Sequence, residues 1–159
     1  MGTGLREQHQ AFTDASDVHR FLAGEDAVPG DCWRTALACL LEVPRDEVPH
    51  FAHLYPAAGT LEWWDASVAW TRATRPGWTL GCWRRPAEGW FDRFYSSDEG
   101  SIAPDRVILT APSPRGDWNH SVLVYAATGE LAHDPFPGGA GVGAGEGDIV
   151  ALVRQEWLS

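Results

Sequence analysis

Three residues of the types that can cooperate in nucleophilic catalysis stand at element boundaries in this chain. They are Cys32 in Gly30-Asp31-Cys32-Trp33, His120 in Trp118-Asn119-His120-Ser121 and Asp134 in His133-Asp134-Pro135. A cysteine at a helix N-terminus faces the positive end of the macrodipole and free N–H groups, and both favour thiolate over thiol. A histidine within reach forms an ion pair with that thiolate and later protonates a leaving group. A carboxylate behind the imidazole fixes its tautomer and steadies the cation. The other two thiols read as buried packing, the usual fate of a small cysteine: Cys39 mid-helix and Cys82 in a strand.

The elements that must position these residues can be read from periodicity. Trp33, Ala36, Leu37, Leu40 and Leu41 repeat at helical spacing. Asp31 is a good N-cap and would make Cys32 the first helical residue, with Val43-Pro44 ending the helix. A short helix is expected over Asp14–Ala23, with Val18, Phe21 and Leu22 on one side. One helical turn is expected over Arg45–Phe51, closed by Pro49. Another helix is expected over Leu61–Thr74, with Trp63, Ala66 and Trp70 along one stripe. The second half changes period. Runs at Trp78–Arg84, Arg106–Ala111, Asn119–Ala126, Glu130–Asp134 and Asp148–Val153 read as antiparallel strands. Residues 138–147 are glycine-rich without a GxGxxG spacing and read as a flexible loop, not a phosphate cradle. Helices first and strands second predict an α+β fold, with the cysteine-bearing helix packed on an antiparallel sheet. Residues 1–13 read as a mobile terminus and 14–159 as one domain.

The hairpin between His120 and Asp134 decides whether a triad can form. A two-residue turn at Thr128-Gly129 would place Asp134 opposite Leu123, facing away from His120. A three-residue loop, Ala127–Gly129, would place it opposite Val122 on the His120 face. Gly129 suits the left-handed last position of such a loop. The same register puts His133 on the other face, so His133 is not expected to be the base.

Composition narrows the chemistry. The chain has 159 residues, 12 basic and 22 acidic, for a formal net charge of −10, and every basic residue is arginine. Without lysine there is neither a Schiff base nor a P-loop lysine. The acidic balance argues against nucleic-acid partners and anionic membrane surfaces, and hints at a neutral or basic substrate or partner. The N-terminal segment lacks an apolar h-region, so a cytoplasmic location is expected. With three cysteines and no secretory signal, a disulfide framework is not expected and at least one thiol should be free. No CxxC or HExxH spacing occurs, so neither a metal nor a cofactor is expected, and His50 and His53 read as solvated or core residues.

Two segments resemble a known group. Gly30–Phe51 has the form G-[DN]-C-x-x-[AT]-x-A-x-L-L followed by D-E-V-P-H-F, and Pro112–Pro137 has P-S-P-R-G, N-H-S-V-L-V-Y and H-D-P-x-P. In this wording and order the chain resembles small bacterial and phage papain-like cysteine hydrolases. The likeness covers under a third of the chain, and the tryptophan-rich stretch 54–105 carries no signature of the group. The resemblance implies a papain-like core with Cys32 as nucleophile, His120 as acid–base and Asp134 as its orienting partner. The implied substrate is a peptide, protein or small amide, and the implied reaction is cleavage of an amide, peptide or isopeptide bond through a thioester. Trp33 and Trp118 would frame the centre, with core packing as their ordinary alternative. Asn119 would either bond substrate or shape the turn. Arg115 and Asp117 read as solvated, with substrate contact as the alternative.

Two departures from the group's pattern stand out. Where the second signature often has another histidine, this chain has Phe136. The group's oxyanion-hole glutamine has no close counterpart either. Gln8 and Gln10 are distant in sequence, and the acids Glu25 and Asp26 would repel an oxyanion. Two other functions remain open from the sequence: a binding or interaction protein that keeps the fold without catalysis, and a thioester acyltransferase. The sequence specifies no oligomeric state.

Overall fold

The computed structural model describes residues 3–25, 29–56, 60–85, 105–116 and 118–158. The expectations for Asp26, Asp117 and the Val18 side chain fall outside these. Among the described residues five α-helices precede five strands: α1 (Thr3–Arg6), α2 (Ala15–Leu22), α3 (Cys32–Leu41), α4 (Phe51–Leu54), α5 (Glu62–Thr74), β1 (Trp78–Arg84), β2 (Arg106–Pro112), β3 (Asn119–Tyr125), β4 (Leu131–His133) and β5 (Asp148–Arg154). The strands form one sheet in the order β1-β5-β2-β3-β4, every neighbour antiparallel. The architecture is α+β.

The two faces of the sheet serve two apolar clusters. Ile108, Leu123, Val150 and Leu80 meet Trp33, Leu37 and Leu41 of α3. Val107, Leu109, Val122, Val124 and Ile149 form the opposite face with Trp83 and Val142. β2, β3 and β5 are therefore buried on both sides and read as nearly continuous apolar runs rather than alternating ones. α3 packs mainly on β3, which directs its N-terminus toward the start of that strand. It ends at Glu42, in the left-handed region at φ +55, whose N–H bonds the Cys39 carbonyl at 3.3 Å.

The elements depart from the sequence reading in four places. Pro49 does not close the turn after α3. A 3₁₀ turn covers Arg45–Glu47, and Pro49 leads into the separate helix α4, whose Phe51 is buried. On α5 the expected stripe of Trp63, Ala66 and Trp70 does pack on the core, half-buried, but the fully buried positions are Ser67 and Thr71. Their hydroxyls donate back to the Trp63 and Ser67 carbonyls, and the Ser67 Oγ also accepts the Trp33 indole N–H at 3.0 Å, so small polar residues fit where a large ring comes close. Cys82 is exposed, because it lies toward the end of the edge strand β1, two residues beyond the buried Leu80 on the same face.

The fourth departure is Asp31. It occupies the cap position, but its side chain makes no capping bond. The fully buried carboxylate instead accepts the N–H groups of Ala11 (3.2 Å) and Phe12 (2.9 Å). The N-terminal stretch, for which the sequence predicts mobility, is also bonded elsewhere. Gln8 donates to the Val43 carbonyl and accepts the Arg45 N–H, and the Gln10 N–H bonds the Pro135 carbonyl. Removing the Asp31 carboxylate leaves two backbone donors without partners, a loss of about 1–3 kcal/mol. Urea unfolding of Asp31→Ala should show that loss, and amide exchange at Ala11 and Phe12 should accelerate beyond what the global change explains.

Candidate active site

Cys32 is the first residue of α3 and only partly exposed, in contrast with the wholly buried Cys39. His120, one residue into β3, is 1 % exposed. The His120 Nε2 bonds Asp134 Oδ1 at 2.6 Å. The Cys32 sulfur interacts with the His120 ring and with the backbone N–H groups of Ser121 and Trp33. The structure thus brings the three residues into one contact chain of sulfur, imidazole and carboxylate.

Asp134 reaches His120 by a route the sequence reading did not foresee. The hairpin loop is four residues long, Ala126–Gly129, with the Gly129 N–H on the Tyr125 carbonyl at 2.7 Å and the Tyr125 N–H on the Glu130 carbonyl at 2.9 Å. Gly129 does take the left-handed conformation, at φ +76. That loop alone would put β4 out of the useful register, as Val124 pairs with Leu131. A bulge follows at Ala132, and Leu123 then pairs with His133. The extra loop residue and the bulge compensate, so Asp134 arrives opposite Val122 on the His120 face. His133 points the other way and bonds the Gln8 carbonyl at 2.6 Å.

The glycine-rich loop serves this carboxylate. Asp134 Oδ1 also accepts the Phe136 N–H and Oδ2 accepts the Gly141 N–H, each at 2.9 Å. A Cβ on Gly139 would collide with Asp134 Oδ2. The absence of a side chain there is what lets the loop close over the acid.

The charges follow from these contacts. Burial would push the Cys32 thiol up, but His120 and the two N–H groups together outweigh it, and the thiol titrates below its ordinary value. Burial would lower His120, but Asp134 and then Cys32 hold the proton and raise it to about 9. Burial likewise opposes ionisation of Asp134, and the bonds from His120, Phe136 and Gly141 prevail, so it stays below the usual carboxylate range. Around neutral pH these directions favour a thiolate–imidazolium pair. Cys39, by contrast, is pushed by burial up to about 11.

The site opens into a cleft of about 380 Å³. Trp33 lines it from α3 with its indole tied to Ser67. Trp118 lines it from the turn before β3, edge-on to His19 at 5.4 Å, and Gly116 gives its ring room. Asn119 stands exposed at the rim. His50 and His53 lie apart from the triad. The His50 Nε2 bonds the Pro29 carbonyl at 3.0 Å, and burial lowers its pKa. Among the described residues no group of three or more His, Cys, Asp or Glu could hold a metal ion.

One cleft residue was set aside by sequence distance. Gln8 is occupied in the core, and Glu25 pairs with Arg20 at 3.8 Å. Gln10, however, lines the same cleft as Cys32 and is 9 % exposed. Its Nε2 donates to the Phe12 carbonyl at 3.0 Å, and its Oε1 is buried without a partner. The Asp31 clamp on residues 11 and 12 puts it there. A buried acid next to the cysteine was the available signal, but it reads as an ordinary cap.

No family model, no curated protein and no solved structure matches this chain. The site therefore rests on its own geometry. Titration of His120 by NMR should give a pKa near 9. In Asp134→Ala the value should fall, because the strongest support for the imidazolium is gone. Gly139→Ala should move it the same way by displacing the carboxylate.

Proposed function

We propose that this protein is a papain-like cysteine hydrolase acting on an amide, peptide or isopeptide bond. The single observation that carries the reading is the contact chain from Cys32 at a helix start through His120 to the buried Asp134. The two sequence signatures that resemble the papain-like group contain these same three residues.

In this mechanism the Cys32 thiolate attacks the substrate carbonyl carbon. A C–S bond forms and the carbonyl electrons move onto oxygen. The Cys32 N–H supplies one donor to that oxyanion, and the Gln10 amide is the best-placed second donor, since its Nε2 carries a further N–H beyond the one given to Phe12. The tetrahedral adduct collapses and breaks the C–N bond while the His120 imidazolium gives its proton to the departing amine. Water, deprotonated by His120, then attacks the thioester. The acid leaves and the thiolate–imidazolium pair is restored. Asp134 keeps the ring oriented throughout and steadies the imidazolium whenever it is charged.

One observation favours a second reading. The Gln10 amide is engaged by the Phe12 carbonyl, and a fold that had abandoned catalysis could keep the cleft for binding alone. The two readings part on Cys32→Ser. A hydrolase loses its activity, whereas a binding protein keeps its biological effect. Acyl transfer to an amine would use the same nucleophile and would show as acceptor-dependent product.

Three outcomes follow from the hydrolase reading. A thiol-directed active-site probe should label Cys32 in preference to Cys39 and Cys82, and His120→Ala should abolish that preference. Equal labelling of all three would remove the claim. The rate kcat/KM should follow a bell in pH. It falls on the acid side as the thiolate is protonated below its lowered pKa, and on the alkaline side as His120 loses its proton near pH 9. Gln10→Ala should lower kcat about 10²-fold with little change in KM.

A further inference from the structure

Among the described residues the cleft has an apolar side and, besides the His120 imidazolium, one cationic group. Phe12, Phe21, Trp33, Tyr55 and Trp63 line it near the start of α3, and Arg115 lines it beside Trp118 and Asn119. Among the described residues no carboxylate lines it, although the chain carries 22 acids. A site built for a basic substrate would be expected to present one.

Arg115 differs from the other described arginines. Arg6, Arg20, Arg34, Arg45, Arg84 and Arg154 each lie against a carboxylate. Arg72, Arg75, Arg85 and Arg106 each donate to a hydroxyl or a backbone carbonyl. The Arg115 guanidinium carbon lies over the Phe136 ring, 3.5 Å from its centroid, and no protein acceptor among the described residues engages its side-chain N–H groups. Stacking fixes the plane of the group while leaving its donor edge free, the arrangement that suits bidentate capture of a carboxylate. The backbone is fixed as well, since the Arg115 N–H bonds Ser113 Oγ and the Ser113 N–H bonds the Trp118 carbonyl. Phe136 thus has a role of its own: it follows Asp134 closely and holds the cation beside the site.

The direction of the reaction tells which part of the substrate meets which wall. The leaving amine must receive its proton from His120 and therefore departs on the β3 side, where Arg115, Trp118 and Asn119 stand. The acyl part lies toward the aromatic wall by α3. We infer that the substrate is an apolar acyl group joined in amide linkage to an amino acid with a free carboxylate, and that Arg115 binds that carboxylate. An N-acylated amino acid or the last peptide bond of a chain with an apolar penultimate residue fits this description. The inference rests on the hydrolase reading for the direction of cleavage. The overall charge of −10 would repel such an anion at long range, which makes a local cation necessary.

The test compares benzyloxycarbonyl-phenylalanyl-glycine with its C-terminal carboxamide. Wild-type kcat/KM should favour the free acid by about tenfold or more, and Arg115→Gln should bring the ratio close to one. The preference should also shrink as salt is raised. In parallel, calorimetry on Cys32→Ala, which cannot turn over, should show tighter binding of the acid that again depends on Arg115. Equal rates for acid and carboxamide, a preference that survives Arg115→Gln, or binding of neither peptide would overturn the inference. If neither peptide is cleaved but the acid still binds in an Arg115-dependent way, the recognition stands and the hydrolase reading is what fails.

Discussion

A carboxylate can be kept ionised inside a protein only if the groups around it repay the loss of water, and the bond between Asp134 and His120 is where this chain meets that condition. Two backbone N–H groups and one imidazolium surround the acid. The consequences run outward in both directions. Toward Cys32, the charge held on His120 makes a thiolate favourable despite burial. Toward the periphery, the hairpin register, the bulge at Ala132 and the bare backbone at Gly139 and Gly141 are all needed to deliver one acid to one face. Remove that pair and these features have no common purpose.

How far the sequence revealed this depends on whether the interaction is local. Cys32 as the first residue of a helix was readable, because helical periodicity and a breaker define that segment on both sides. All five strands were readable from β-branched runs between turn signals, and their observed bounds differ by a residue or so at most ends. The juxtaposition of His120 and Asp134 was foreseen with the right face but through the wrong loop. Strand alternation constrains only the sum of loop and bulge, and the sequence does not say how the extra residues divide. The tryptophans split in the same way. Trp33 clusters with Trp63, edge-on, and with Trp64, tilted, and closes one side of the cleft, and Trp70 meets Phe51. Trp78 lies under Arg154 across the β1–β5 pair, away from the cleft.

The long-range contacts of the N-terminal stretch were not readable. Asp31 is in a position where a capping bond is the usual expectation, and nothing in one sequence distinguishes a carboxylate that caps its own helix from one that grips a distant strand of backbone. Gln10 was passed over for the same reason: its nearness to Cys32 is created by tertiary bonds, while its distance along the chain is plain. The absence of lysine has a clearer structural counterpart. Planar guanidinium groups tie carbonyls, carboxylates and rings together across the surface, a task for which a compact ammonium has the wrong shape.

The clamp at Asp31 also bears on the order of events during synthesis. One wall of the cleft is made from residues 10–12, yet the Gln10 N–H is anchored to the Pro135 carbonyl and the Gln8 carbonyl to His133. Residues 8–12 emerge long before β4 and therefore acquire their final contacts only after β4 has formed. His120 and its acid also come late. A nascent or partly folded chain thus carries Cys32 as an ordinary thiol beside an unfinished wall. The Cys32 thiol gains the partners that lower its pKa at the same step that completes the fold, so a molecule whose β3–β4 hairpin has not formed holds it as an ordinary thiol.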